Sequence, residues 1–519
     1  MTNPRQLAAR MMMVDIPSPV LDPETRAHLE RYRFGGVCLF RRNIQRPAQV
    51  RQLTGELRSV LGPEVLIAID QEGGAVQRVL ELALAPSAMA LGAVGDPKLA
   101  EQVGAAVGRG LISLGINWNF APSLDVNTNP SNPVIGDRSF GSDPKKVARL
   151  GLAWARGLEG AGVMASVKHF PGHGDTALDS HLELPTVNKP LDELERTELY
   201  PFRQAAAVPV ASVMSAHIVF PALDPEHPAT LSRAILTGWL RQKMGYGGVV
   251  ITDALDMQAI TKRYPMGQAA AQSLKAGADM ILSLGKPEVH RVQLEAIAEA
   301  LEQGAIPTDQ AAASLQRLSQ AAQRFPSQPR PYPKAQLAAD RRLMDQVALR
   351  SITAYRQPPR PQADQKVLIV SAGSAFSAGP YGETLAVSEF AKRLKKRFPK
   401  VHLFVYDPKN ATEYLEPLEE AAQKADFLLV ASVGREPLSP AEARLLRQAF
   451  RLGKPAVHLA LWNPYHLLAL KQPAFISYGF RAPTLEALVR VLAGTEAQGK
   501  LPFKTRGSAS PAQPERAKS

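Results

Sequence analysis

The sequence predicts an α/β protein in two parts, a (β/α)8 TIM-like barrel followed by a smaller α/β sandwich domain. Three observations carry that reading. Short apolar runs rich in β-formers alternate with longer segments of helical period through the first 300 residues. Run after run ends on a charged or polar side chain, as strands do at the mouth of a parallel barrel. A proline-dense stretch, "RFPSQPRPYPK" (324–334), then separates this array from a second, shorter one.

Seven runs read as barrel strands in order: 34–40 (FGGVCLF), 65–70 (VLIAID), 116–122 (INWNFAP), 163–170 (VMASVKHF), 208–220 (VPVASVMSAHIVF), 247–255 (GGVVITDAL) and 277–283 (GADMILS). Between them, segments such as "DPKKVARLGLAWARGLEGAG" and "YPMGQAAAQSLKAGA" repeat apolar residues at three and four, the spacing of an amphipathic helix. Seven βα units running one way imply a parallel sheet, and at this length a closed barrel is favoured over an open one. The eighth strand has no evident place. After the proline stretch, "AQLAADRRLMDQVALRSITAY" reads as a helix and "RQPPRPQADQ" as a second linker. "KVLIVSAG", "VHLFVYD", "DFLLVAS", "AVHLALW" and "AFISYGF" read as buried strands of the second domain. The expected division is a catalytic barrel over 1–335, a linker helix and Pro-rich linker over 336–365, an α/β domain over 366–504 and a disordered tail over 505–519.

Composition narrows the function. Hydrophobic residues make up 45% and charged residues 21%, with no apolar run near the roughly 18 to 20 residues of a membrane helix, so no membrane span is expected. The opening "MTNPRQLAARMMMVDIPSPV" has an apolar stretch too short for a signal-peptide core, and the expected location is cytoplasmic. One cysteine, Cys38, excludes an intrachain disulfide and reads as a buried, inert thiol. The net charge of +13 is uneven: residues 1–340 hold 34 basic and 33 acidic side chains, residues 341–519 hold 27 and 15. The basic run "AKRLKKRFPK" lacks aromatic interleaving, so it reads as a solvated helix face and no nucleic-acid partner is expected.

The polar residues that end the strand-like runs are Asp70, Asp125, Lys168, His169, His217 and Asp253, and their recurrence points to one shared pocket. The densest cluster is "KHFPGHGDTALDSH" (168–181), with three of the chain's ten histidines. Three chemistries compete for it: a metal site, a proton-transfer pair, or a loop whose polar groups cap its own backbone. Metal is disfavoured, because Pro and Gly in "HFPGH" prevent two histidines from sharing a helix face and Lys168 opposes a divalent cation; no metal or other cofactor is expected. In an extended "DSH", Asp179 can bond one ring nitrogen of His181, fixing its tautomer and stabilising the imidazolium formed in proton transfer. Asp253 at the end of an apolar strand supplies the second group. An ionised aspartate opposite a proton donor is the pairing that cleaves a glycosidic bond with retention, and an imidazole with a pKa of about 6.5 suits a group that is acid in one step and base in the next.

"AIDQEGGAVQRV", "PSLDVNTNPSNPVIGDRSFG", "KHFPGHGDTALDSHLELP", "SAHIVFPALD", "VVITDALDM" and "AGADMIL" together resemble the bacterial β-N-acetylglucosaminidases of glycoside hydrolase family 3, two-domain type, over roughly residues 5–340. The resemblance implies Asp253 as nucleophile and His181 as acid/base in a dyad with Asp179. It also implies Asp70, Arg138, Lys168 and His169 as residues that bind the N-acetylglucosamine unit. A structural pair of Arg138 with Asp137 or Asp125 remains open, and Glu72 and Arg78 are candidate supports. His173 and Asp175 would shape the loop.

The expected function is a retaining exo-β-N-acetylglucosaminidase that releases terminal N-acetylglucosamine from peptidoglycan-derived fragments (muropeptides) through a covalent glycosyl-aspartate, with a carbohydrate substrate as its partner. Two alternatives remain: a phosphorylase using the same site, since a neutral histidine would not repel an anionic acceptor, and a non-catalytic sugar-binding protein.

Overall fold

A computed structural model of the chain describes residues 3–180, 183–372 and 387–505. Eight parallel strands close the barrel in sequence order: β1 (Met12–Asp15), β2 (Gly36–Leu39), β3 (Leu66–Ile69), β4 (Trp118–Asn119), β5 (Met164–Phe170), β6 (Ser212–Ser215), β7 (Val249–Ala254) and β8 (Met280–Ser283). The strand with no place in the sequence is the first. The run "MMMV", too short to be a signal core, pairs with both β2 and β8 and closes the ring. Asp253 therefore stands on the seventh strand, not the sixth that a count from residue 34 gives. The read strands at 116–122 and 208–220 shorten to two and four residues, because the chain beyond them turns into loops that build the barrel mouth.

The helices begin where local chemistry says they should. Asp22, Asp96 and Asp143 are N-caps followed by proline at the first helical position; the Asp143 side chain accepts from the backbone N–H of Lys145 and Lys146, at 2.8 and 3.0 Å. Helices Pro97–Ile112 and Pro144–Gly160 pack with almost no gap. A Cβ on Gly104 would lie 2.0 Å from the Trp154 carbonyl oxygen, and one on Gly157 would lie 1.9 Å from that of Glu101. Gly104→Ala is therefore expected to cost about 3 kcal/mol in denaturant unfolding, since the obstacle is backbone and cannot rotate away. Within the barrel, Trp118 donates its indole N–H to Ser212 Oγ at 2.9 Å, linking β4 and β6 across the core. Cys38 is buried and its thiol pKa is pushed well up by that burial.

Within the proline stretch, residues 325–333 form no helix or strand, yet they lie against the barrel: Arg330 N donates to Ile112 O at 3.2 Å and Asn117 Nδ2 to Phe325 O at 2.7 Å. Helix Lys334–Ser351 follows and ends earlier than its sequence reads. Thr353–Tyr355 leaves it as β9, an antiparallel edge strand beside Ala474–Ile476. The β-branched Thr353 and aromatic Tyr355 favour that state once a partner edge is present.

The second sheet holds β9, β10 (Val367–Ala372), β11 (Val401–Tyr406), β12 (Phe427–Ser432), β13 (Ala456–Ala460) and β14 (Ala474–Ile476), in the order β11-β10-β12-β13-β14-β9. Its central strands bury both faces, whereas β11, read from the sequence as buried, is an edge strand that exposes Leu403 and Val405. Val367 and Ile369 of β10 enter one core with helix Ala482–Leu492, while Leu368 and Val370 enter another with helices Leu415–Gln423 and Pro440–Ala449. The two domains share a further apolar cluster. Met89, Ala90 and Ala93 of the barrel side meet Tyr465, Ile476, Tyr478 and Phe503, and Ser87 Oγ donates to Tyr478 O at 2.7 Å. Most of the expected tail, residues 506–519, lies outside the described residues. Among the described residues no helix is long and apolar enough to cross a membrane.

Candidate active site

A cavity of about 240 Å³ opens at the C-terminal ends of the barrel strands, lined by Asp70, Glu72, Arg138, Lys168, His169 and Asp253 among others. Five of these six residues were singled out in the sequence as pocket or substrate residues. The sixth, Glu72, is the keystone. Its carboxylate takes Arg138 in a two-pronged contact, Nε to Oε2 at 2.9 Å and Nη2 to Oε1 at 2.8 Å, and also meets Lys168 Nζ at 2.7 Å. Lys168 donates in addition to Asp70 Oδ1 at 2.8 Å, and Arg78 approaches Asp70 Oδ2 at 3.5 Å. Arg138 is thus paired with Glu72, a partner other than the Asp137 or Asp125 weighed from the sequence.

The charges hold one another. Burial alone would raise the Glu72 carboxyl, but Arg138 and Lys168 outweigh it and keep the acid far below the usual carboxylate range. Asp70 is likewise lowered: burial opposes, and Lys168 and Arg78 prevail. Burial also opposes the charge on Lys168, while Asp70 and Glu72 raise its pKa above the ordinary lysine value.

Lys168 and His169 form the end of β5, and the backbone there is stitched to the loop after β4, with Leu124 N donating to Lys168 O at 2.7 Å. That loop carries Asp125, whose buried carboxylate accepts from Ser123 Oγ at 2.8 Å, His169 N at 3.1 Å and His173 N at 2.7 Å, and sits 2.7 Å from His169 Nδ1. Burial pushes Asp125 up; the His169 ring and these donors hold it down. The other ring nitrogen, Nε2, lies 3.4 Å from Arg138 Nη2. A guanidinium can only donate, so this geometry assigns the His169 proton to Nδ1 and makes Nε2 an acceptor. Asp125 belongs with the pocket as the group that orients His169 from behind.

Asp253 occupies the penultimate position of β7, partly exposed to the cavity, and its Oδ1 accepts from Ala254 N at 2.8 Å. His217 does not line the cavity. It is buried beside β7, with Nε2 2.9 Å from Ala254 O and Nδ1 2.9 Å from Thr230 Oγ1, and so braces the backbone next to Asp253. His173 anchors the loop that follows β5. Its ring meets Thr176 Oγ1 at 2.9 Å and Ser180 Oγ at 2.8 Å, and burial together with the nearby His169 lowers its pKa to about 4, so it is neutral at ordinary pH. Asp175 accepts from Thr128 Oγ1 at 2.6 Å and pairs with Lys189 at 3.3 Å. Asp179 Oδ2 lies 3.6 Å from Arg435 Nη2, a side chain of the second domain. His181 lies outside the described residues. Among the described residues no three His, Cys, Asp or Glu side chains converge as a metal-ligand set.

The second domain reaches the site's foundations as well. Trp462 Nε1 donates to Asp137 Oδ1 at 3.0 Å, and burial raises the Asp137 carboxyl to about 7 against the pull of that bond and of Arg138. A folded-state pKa above the usual 3.8 means that the folded chain binds a proton the unfolded chain has released, so stability falls as pH rises between about 4 and 7. Asp137→Asn keeps an acceptor for Trp462 and removes the titration. Its melting temperature is expected to exceed the wild type at pH 8 and to converge with it near pH 4.

The chain matches the N-terminal domain of glycosyl hydrolase family 3 over residues 6–321. Beta-hexosaminidase A of Pseudoalteromonas piscicida is 32% identical, over 93% of this chain and 91% of that protein. A beta-hexosaminidase of Alkalilimnicola ehrlichii is 40% identical over 53% of this chain and 81% of its own length. The structure of a glycoside hydrolase family 3 beta-N-acetylglucosaminidase from Paenibacillus sp. str. FPU-7 superposes with a TM-score of 0.89 at 36% identity, covering 96% of this chain and 98% of that one. With a barrel of this topology, a carboxylate at the mouth of β7 and a match that spans most of the barrel, the chain belongs to glycosyl hydrolase family 3.

Proposed function

We propose that the chain is a retaining exo-β-N-acetylglucosaminidase acting on peptidoglycan-derived fragments, with residues 1–335 as its catalytic part. The observation that carries the reading is the placement of Asp253 in one cavity with the Asp70–Lys168–Glu72–Arg138 network. Relatives of matching length carry hexosaminidase and N-acetylglucosaminidase names, which supports the sugar class.

In this mechanism the terminal sugar enters the cavity and its hydroxyls exchange hydrogen bonds with Asp70, Lys168 and Arg138, whose positions are set before the sugar arrives; His169, aligned by Asp125, completes the grip. Asp253 attacks the anomeric carbon while His181 protonates the departing oxygen, giving a glycosyl-aspartate and a free aglycone. His181 then removes a proton from water as that water displaces Asp253, and the β configuration is restored. Asp179 holds the imidazole and stabilises its charged form. The bound metal that a hydrolytic barrel can use has no part in these steps. The proposal includes a cytoplasmic site of action, in keeping with a chain whose one cysteine leaves no internal disulfide.

The test is turnover of a nitrophenyl N-acetyl-β-glucosaminide against the nitrophenyl β-glucoside, followed by NMR of the first-formed sugar. Hydrolysis of the acetamido substrate with a β product supports the reading. An α product, preference for the glucoside, sugar 1-phosphate formed in phosphate buffer, or activity lost to EDTA would each replace it.

A further inference from the structure

We propose that Arg435, supplied by the second domain, is a positioning residue for proton transfer: it holds the Asp179 carboxylate, so that the second domain completes a site otherwise built on the barrel. This rests on the reading of Asp179 and His181 as the proton-transfer pair and goes beyond it, because the relevant side chain comes from outside the catalytic barrel.

The contact is geometrically exposed to little water. Arg435 Nη2 stands 3.6 Å from Asp179 Oδ2, with the two side chains 23% and 14% exposed. A pair so far withdrawn from solvent is screened less than a surface pair, and the guanidinium can fix a carboxylate's orientation. The same Nη2 lies 3.4 Å from Glu436 Oε1, but that carboxylate is 66% exposed, so the better-buried Asp179 is the partner that solvent screens less.

Arg435 is itself held. Asn463 Nδ2 donates to the Arg435 carbonyl oxygen at 2.6 Å, and His466 Nε2 donates to the Glu436 carbonyl oxygen at 2.8 Å. His466 is buried, which lowers its pKa to about 4, so this bond is made by the neutral ring. Asn463 Oδ1 accepts from Tyr465 N at 2.9 Å, and the Tyr465 hydroxyl accepts from Asn127 Nδ2 of the barrel at 2.8 Å.

The same barrel loop carries the base of the segment that leads to Asp179. Asn129 Nδ2 donates to Thr176 O at 3.1 Å, and Asn132 Nδ2 donates to His173 O at 2.8 Å. Both partners of the ion pair are therefore referenced to one platform, residues 127–132. A contact that served only to dock the domains would not need its backbone fixed at consecutive carbonyls beside the cavity mouth.

The consequence is specific to leaving groups. A nitrophenolate departs with little protonation, whereas the sugar alcohol released from diacetylchitobiose needs a proton as the bond breaks. In the full chain, Arg435→Met is expected to lower kcat/KM on diacetylchitobiose about tenfold more than on the nitrophenyl glycoside, with Arg435→Lys restoring most of the loss. Arg435→Gln, closer in shape and polarity, provides a second neutral variant should the Met variant melt early. Asp179→Asn should show the same bias toward the disaccharide, and more strongly. Equal losses on both substrates in the two neutral Arg435 variants, or no loss, while Asp179→Asn keeps its bias, would overturn the role of Arg435 and leave the dyad standing. An Asp179→Asn variant without bias would instead remove the dyad, and with it the basis of this inference.

Discussion

Asp253→Ala is expected to lower kcat on the nitrophenyl N-acetyl-β-glucosaminide by at least about a thousandfold while leaving the melting temperature close to wild type. The side chain is partly exposed rather than packed in the core, and its Oδ1 accepts from the N–H of Ala254, its neighbour in sequence. Its value lies in attack on the anomeric carbon, and no neighbour can replace it there. Asp70, Glu72 and Asp125 are engaged by Lys168, by Lys168 with Arg138, and by His169, respectively. Azide should restore turnover in the Ala variant by entering the vacated space and attacking from that face, giving the α-glycosyl azide. A β-azide product would identify Asp253 as the acid/base instead, and undiminished turnover would remove it from the reaction.

Glu72→Ala should have the second largest effect, through both activity and stability. Removing one partner from a buried ion network strands the others, and here two cations lose their shared anion at once; a cost of about 3–5 kcal/mol is expected in denaturant unfolding. Activity should fall through kcat and KM together, because Arg138 and Lys168 no longer hold their places before the sugar arrives. Glu72→Gln separates charge from shape. Since the folded-state pKa of Glu72 lies below its unfolded value, its stabilisation is complete above about pH 4.5 and is lost as pH falls toward the folded value. Wild type and Glu72→Gln should therefore differ most at neutral pH and draw together in acid. A constant difference across that range would mean that the carboxylate's charge is not what holds the cluster.

Some of this was legible in the chain before any coordinates. The strand-end polar residues Asp70, Lys168, His169 and Asp253 do meet in one cavity, because in a parallel barrel every strand delivers its C-terminal end to the same face. "KHFPGHGDTALDSH" declared a loop, and His173 and Asp175 do anchor it. Glu72 was visible two residues beyond Asp70 in "DQEGG", yet its partner Arg138 lies 66 residues away, and no local spacing indicates that pairing. The candidate partner Asp137, adjacent in sequence to Arg138, instead faces Trp462, 325 residues on. The first barrel strand escaped because its run, "MMMV", holds methionines where the other runs hold β-branched residues, and β9 because Thr353–Tyr355 continues a helical pattern until β14 offers an edge to join.

Hydrophobic rhythm, punctuating prolines and the order of polar residues after apolar runs were enough to establish a barrel, a second α/β domain and the side chains gathered at the mouth. These signals are local, carried by neighbours along the chain. Which carboxylate clamps which cation, which nitrogen of His169 bears the proton, and that Arg435 and Trp462 cross from one domain to the other followed from closure and docking. Those contacts join residues distant in sequence, and their energies depend on burial and distance that exist only once the chain is packed.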